Sequence, residues 1–337
     1  MRNITVLTSR GKAVKYGKTA GTDQEIHENV FPGSVIFKRR DRRETVRLST
    51  STNIYFNRPD HTKAKIEDSV RLCGEAGYRV MDMNFYDCTS FKLPFVTDEW
   101  ESWIYGIRDI AQQFQMEFSQ AHANFYNFCD PHAKDKEFLD RMVLRSIDCA
   151  KILGVKWLVI HAGTDFESPY LVRSSKEKNI EYFKPVIDYA AKNNVGIAIE
   201  NLWDLNIAPQ RRYTTTAEEL VDLVDALHMD YDNVGICWDV EHADIMKQAQ
   251  EPALKMIGKR LKATHISDNV GINYDHVLPF SGYTNWAEFM KLLKEIEYSG
   301  DFTYEIHRYT SQIPDALVPA ALRYSVEVGN YLLSLAE

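Results

Sequence analysis

From about residue 46 to the end of the chain, short runs of β-branched and aromatic residues alternate with longer stretches whose apolar positions recur at helical spacing. The short runs predict strands: Val46 to Asn53, Arg79 to Asn84, Gln115 to His122, Lys156 to His161, Gly196 to Glu200, Val234 to Asp239, Ala263 to Ser267 and Phe302 to His307. Each is apolar through its middle and polar at its C-terminal end. The longer stretches predict amphipathic helices over His61 to Ala76, Asp98 to Phe114, Asp135 to Leu153, Ser174 to Asn193, Thr216 to Leu227, Pro252 to Arg260, Trp286 to Ile296 and Pro314 to Leu335. Their ends are punctuated. Thr216 with Glu218 and Glu219 reads as an N-cap followed by an acidic first turn, and Asn193-Asn194-Val195-Gly196 as a helix stop running into a strand.

Eight strands alternating with eight helices over about 290 residues predict a closed (β/α)8 TIM barrel. An open doubly wound sheet is disfavoured, because no GxGxxG turn marks a dinucleotide crevice. Residues 1–45 stand outside this rhythm. Ile4 to Leu7, Ala13 to Tyr16 and Ser34 to Lys38 read as small strands, and the basic run Lys38 to Arg43 follows. The chain is therefore expected to comprise a β-rich N-terminal extension, 1–45, and a catalytic barrel, 46–337. The extension would cover the barrel or contact a subunit or substrate.

Of the 337 residues, 45% are hydrophobic and 12% aromatic, enough for a large core and unlike a disordered or fibrous chain. A net charge of -8 provides no general attraction for nucleic acid or an anionic membrane. The five cysteines, Cys73, Cys88, Cys129, Cys149 and Cys237, form no CxxC pair, so neither a disulfide framework nor a zinc knuckle is indicated. The apolar patch Ile4 to Leu7 is too short for a signal peptide or membrane span. A cytoplasmic location is the expectation.

In a barrel of this kind the C-terminal strand ends converge on one face. Here they carry His122, His161, Glu200, Asp239 with His242, His265, and Glu305, with His276 in the loop after the seventh strand. A single glutamate there would ordinarily be solvated or salt-bridged. Glu200, Asp239, His265 and Glu305, at four successive strand ends, instead make a sulfur-free oxygen-and-nitrogen set suited to Mn2+, Mg2+, Co2+ or Zn2+. Because imidazole ordinarily titrates near neutrality, His161 and His122 are candidate bases, or supports for a ligand carboxylate.

The segments Val159-Ile-His-Ala-Gly163, Ile197-Ala-Ile-Glu-Asn201, Ile236-Cys-Trp-Asp-Val-Glu-His242, Thr264-His-Ile-Ser-Asp-Asn269, His276-Val-Leu-Pro-Phe-Ser-Gly282 with Trp286, and Tyr304-Glu-Ile306 resemble the xylose-isomerase-like superfamily. Within it they are most similar to the sugar phosphate isomerase/epimerase group. The resemblance implies Glu200, Asp239, His265 and Glu305 as ligands of one divalent ion, Mn2+ foremost. It also implies Glu200 and Glu305 as the groups that move the proton, and His242 as a substrate contact. Ketose 3-epimerases of the group carry an Arg six residues after the ligand His, where this chain has Gly271.

The expected activity is that of a metal-dependent isomerase or epimerase that removes a proton beside a sugar carbonyl through an enediolate. The substrate is a small sugar or glycoside. His276 at the rim and Trp203 are further candidate substrate contacts; Tyr86, Phe125, Tyr126, Trp238 and Phe280 either floor a sugar ring or pack the core. No Walker-type cradle supports a phosphorylated substrate. A second reading is the large subunit of a C-glycoside deglycosidase, a lyase on 3-keto-glycosides that binds a small β-rich subunit. The expected assembly is thus a homo-oligomer, or a hetero-oligomer with such a subunit, without membrane contact. A third reading is a type IV apurinic endonuclease, whose three zinc ions His122, His161, His242 and His276 could partly serve. Tyr274 in place of an Asp, the acidic chain and the lack of a basic stripe argue against it, and against nucleic acid as a partner.

Overall fold

Strand residues alternate between two faces, and in a barrel those faces meet different environments: the ring of helices outside and the narrow bore inside. Leu158 and Ile160, Ile197 and Ile199, and Ile236 and Trp238 belong to the large core beneath the helices. On the other parity Val159, Ala198, Cys237 and Ala263 form a separate fully buried cluster of mostly small side chains. The next inward position on each of these strands, two residues later, is His161, Glu200, Asp239 or His265. The alternation that builds the barrel therefore also aims the candidate site into its mouth.

The computed structural model describes residues 4–7, 13–16, 46–205, 210–271 and 275–336. The chain divides into two compact units, Met1–Arg42 and Arg43–Glu337. In the first, β1 (Ile4–Leu7) and β2 (Ala13–Tyr16) pair antiparallel, with Ile4 opposite Tyr16. The expected strand Ser34 to Lys38 and the basic run lie outside the described residues.

The second unit contains eight parallel strands: β3 (Leu48–Ser51), β4 (Val80–Asn84), β5 (Glu117–His122), β6 (Trp157–His161), β7 (Gly196–Glu200), β8 (Val234–Asp239), β9 (Leu261–His265) and β10 (Phe302–Tyr304). They are ordered β10-β3-β4-β5-β6-β7-β8-β9. The ring closes between β9 and β10 through the Ile266↔Tyr304 bridge, where Ile266 N donates to Thr303 O at 2.8 Å and Glu305 N to Ile266 O at 3.0 Å. At the N-terminal ends of β6 and β7, Gly196 makes room for Trp157, since a Cβ there would lie 2.4 Å from the indole. The fold is a (β/α)8 TIM barrel, as expected.

The surrounding helices are α1 (Ile66–Ala76), α3 (Trp100–Gln113), α4 (Lys136–Leu153), α5 (Leu171–Lys192), α6 (Ala217–His228), α8 (Gln250–Ile257), α9 (Trp286–Glu295) and α10 (Val318–Ser334). Thr216 caps α6 by accepting from Glu219 N at 3.3 Å. Two short helices not expected from the pattern, α2 (Phe85–Ser90) and α7 (Val240–Ile245), open directly from strand ends. Asn84 and Asp239 each end a strand and cap the helix after it, accepting from Asp87 N at 2.9 Å and His242 N at 2.8 Å. The first strand is shorter than expected, because the chain turns into a 3-10 segment at Thr52–Tyr55. The five cysteines are free and buried. No helix among the described residues is long and apolar enough to cross a membrane.

Candidate metal centre

Glu200, Asp239 and His265 are the last residues of β7, β8 and β9, and Glu305 follows β10 directly. All four are buried, and one ligand-type atom from each lies within 4.8 Å of the others. Their register is fixed by the sheet, which pairs His161 with Glu200 and Asp239 with His265. Asn201 locks the top of β7 to β8: its amide donates to Asp239 O at 2.9 Å and accepts from Asp239 N at 2.7 Å.

Glu200 is the hub. Its Oε1 lies 2.7 Å from His265 Nδ1, and its Oε2 lies 3.2 Å from His122 Nε2 and 3.0 Å from His161 Nε2. Glu305 Oε2 is 3.3 Å from the same His265 Nδ1, and its Oε1 faces the Asn53 amide at 3.4 Å. Asp239 uses Oδ1 as the α7 cap, while its buried Oδ2 accepts no hydrogen bond from the described residues. A buried carboxylate oxygen left without a donor is costly unless a cation is meant to meet it. With two glutamates and an imidazole aimed at the same point, the donor set fits a hard or borderline divalent ion. His122, His161 and Glu200 make a second close group sharing Glu200.

The protonation states follow from burial working against neighbouring charge. Burial alone would raise Glu200, but His265, His122 and His161 hold it well below the usual carboxylate range. Burial is likewise overcome at Glu305, lowered to about 2 by His265 and His276. Asp239 is the exception: burial, helped by the negative charges of Glu200 and Glu241, pushes it up to about 7. Burial lowers His161 to about 4, against the raising effect of Glu200. His122 is buried too, but Glu200 raises it. For His265, burial is outweighed by surrounding anions and the ring is raised well above its ordinary value.

An ion entering this site must therefore displace protons from Asp239 and His265. Metal affinity is expected to rise with pH through about 7 and, on the acid side, to weaken about tenfold per pH unit for each proton displaced. Calorimetric Mn2+ titrations at pH 6 and pH 8 check this; equal affinities would contradict it.

The other expected residues divide. His242 is buried beside the cluster, with Nδ1 2.8 Å from Asn201 O and 3.7 Å from Asp239 Oδ2. His276 is not at the rim but buried, its Nδ1 2.8 Å from Glu241 and its ring centroid 4.1 Å from that of His307. Among the described contacts, Trp203 is joined not to the cluster but to the Arg212 guanidinium, 6.0 Å from its ring. Tyr86 stacks on Phe125 at 4.1 Å, and Phe125 lies 3.8 Å from the His161 ring. Trp238 is core, donating to Gln250 Oε1 at 2.8 Å.

Several acids escaped sequence reasoning. Glu241 accepts from Ser267 Oγ at 2.9 Å and from the backbone N of His276 at 2.5 Å. It thereby holds His276 at a φ of 51°, a conformation that costs a non-glycine residue energy. Asp87, in the first turn of α2, is raised to about 6 by burial and by Glu305. Asp268 anchors the loop after β9, and Asp82 lies in the bore of the barrel. The Asp-Asn pair is visible as a motif, but three of the donors to Asp268 are the backbone N–H groups of Asn269, Phe280 and Thr284, which no residue pattern displays.

Comparison with known proteins agrees with this architecture. Among curated relatives, an uncharacterized protein of Sinorhizobium fredii, y4fM, is 29% identical over 187 residues, 53% of this chain and 56% of that protein. The chain thus spans about half the length of the first such relatives. The inosose isomerase of Bacillus velezensis is 24% identical over 255 residues, covering 73% of this chain and 84% of its own. Among solved structures, the IOLI protein with a bound zinc atom superposes with a TM-score of 0.69 at 20% identity, over 87% of this chain and 99% of that one. A D-psicose 3-epimerase crystallised in the presence of D-fructose gives 0.66 at 16% identity, over 86% and 99%. A family model described as xylose isomerase-like TIM barrel matches residues 70–327, and with that span covering most of the barrel, the chain belongs to this family.

Proposed function

We propose that this protein is a metal-dependent sugar isomerase or epimerase that removes and returns a proton on the carbon beside a carbonyl. The observation that carries the reading is the convergence of Glu200, Asp239, His265 and Glu305 within 4.8 Å at the mouth of the barrel. The inosose isomerase relative and the epimerase and zinc-containing neighbours support it. A keto-inositol or a ketose is the substrate class it favours.

Glu200, Asp239, His265 and Glu305 would hold the ion, which when bound supplies a Lewis acid that polarises the carbonyl and stabilises the enediolate. The proton work falls to the two glutamates. Glu200 has both oxygens engaged by imidazoles, whereas among the described residues Glu305 Oε1 has the long hydrogen bond from Asn53, so Glu305 is the freer acceptor for the carbon-bound proton. His242 and His276, grouped with Asp239, would hydrogen-bond the substrate's hydroxyl oxygens. Glu241 fixes the His276 ring for that contact.

Metal-loaded protein incubated in D2O with a panel of keto-inositols, ketohexoses and 3-keto-glycosides is expected to exchange the proton next to the carbonyl in at least one of them. NMR reads the loss of that signal, and Glu305→Gln should slow it by about 100-fold or more. Absence of exchange across the panel would sink the proton-transfer reading. Release of an aglycone would redirect it to an eliminating lyase.

A further inference from the structure

Asp82 presents an anomaly in the barrel's bore. It lies on β4 at zero exposure, facing inward beneath the candidate site, where strands β6 to β9 contribute Val159, Ala198, Cys237 and Ala263 to the bore. An ionised carboxylate placed there is expensive unless its charge is used. Its Oδ2 accepts from Gln120 Nε2 at 2.8 Å, and Gln120 is itself braced by Thr264 O at 3.3 Å and Thr303 Oγ1 at 3.5 Å. Its Oδ1 accepts no hydrogen bond from the described residues. The same Oδ2 lies 3.5 Å from His265 Nε2.

That last contact gives the carboxylate a purpose. The two nitrogens of His265 face opposite ways: Nδ1 toward Glu200 and Glu305, at 2.7 and 3.3 Å, and Nε2 toward Asp82. A neutral imidazole can offer its Nδ1 lone pair to an ion only if its proton sits on Nε2, and an acceptor at Nε2 holds it there. Carboxylates in this position also fix the ring's orientation and strengthen it as a donor. Gln120 in turn orients Asp82, so β5, β4 and β9 form one chain of contacts ending at the ion site.

We infer that Asp82 is a positioning residue that sets the tautomer and orientation of His265, so that Nδ1 faces the metal. The inference rests on the metal reading above. It makes Asp82, fully buried in the bore, a determinant of metal affinity without being a ligand.

The test uses the full chain with Zn2+ as the probe. Calorimetry gives the Zn2+ affinity of wild type, Asp82→Asn and Asp82→Ala, and long-range 1H–15N spectra of the histidine-labelled, Zn2+-loaded protein report which His265 nitrogen carries the proton. Wild type is expected to show the proton on Nε2. Asn, which keeps a neutral acceptor, should weaken binding about tenfold and Ala toward 100-fold. A purely structural role would lower the unfolding temperature of the metal-free variants but leave their Zn2+ affinity intact. Asp82→Asn is close to isosteric and carries the test alone if the alanine variant does not fold. Tight binding by wild type with variant affinities within twofold, or a His265 proton on Nδ1, would overturn the role of Asp82 alone. No Zn2+ binding by wild type would overturn the metal reading and this inference with it.

Discussion

Glu200→Gln is expected to abolish tight metal binding and to lower kcat/KM by at least about 1000-fold. The size of the effect comes from how many partners share this carboxylate. His265 Nδ1, His122 Nε2 and His161 Nε2 all point at its two oxygens, at 2.7, 3.2 and 3.0 Å. A glutamine keeps the shape, but turns one acceptor into an N–H2 that confronts imidazole N–H groups and removes the anion that raises His122 and His265. Metal content after dialysis and steady-state rates check the prediction. Full occupancy with a rate within tenfold of wild type would remove Glu200 from the centre of the site.

The second large effect is expected at a residue far from the chemistry in role but adjacent in sequence. Asp268 is fully buried and accepts from Asn269 N at 3.0 Å, Phe280 N at 3.0 Å, Thr284 N at 3.2 Å, Thr284 Oγ1 at 3.1 Å and Trp286 Nε1 at 3.0 Å. This one carboxylate ties down both ends of the loop that carries His276. Phe280, a bulky side chain at a φ of 73°, stays in that conformation because Asp268 holds its N–H. Gly282 sits against the same anchor, where a Cβ would fall 2.3 Å from Asp268 Oδ1. Asp268→Ala strands several donors, and is expected to destabilise the protein by about 4 kcal/mol. Because His276 rides on this loop, kcat should fall even at temperatures where the variant is folded. Urea unfolding and rate measurements on the same samples read both. A stability loss under about 1 kcal/mol would show that the loop is held by something else.

The barrel was legible because its strands and helices have different periods and lengths, and because each strand turned polar where the bore opens. The strand end at Glu200 illustrates this: Gly196 to Glu200 was expected and observed with the same limits. The expectation was coarser where a polar residue did two things. Asp239 ends β8, caps α7 and supplies an oxygen to the cluster, and only the last of these roles is visible from residue type. Burial was harder still. His276 reads as a loop residue and therefore as rim, but Glu241 draws it inward, and the carboxylate responsible sits two residues past Asp239 on a short helix that periodicity did not reveal. Asp82 was hidden for a related reason: a lone acid within an apolar strand gains meaning only when Gln120 and His265, distant in sequence, are seen to face it.

The claim at the centre of this account is that Glu200, Asp239, His265 and Glu305 together hold one divalent ion. Anomalous diffraction from crystals of the full chain grown with Mn2+ tests it most directly. The account predicts a single strong peak at the mouth of the barrel, about 2.0–2.3 Å from an oxygen of each carboxylate and from His265 Nδ1. A peak coordinated by His122 and His161 without Asp239 and Glu305, or no peak in the barrel at all, would contradict it.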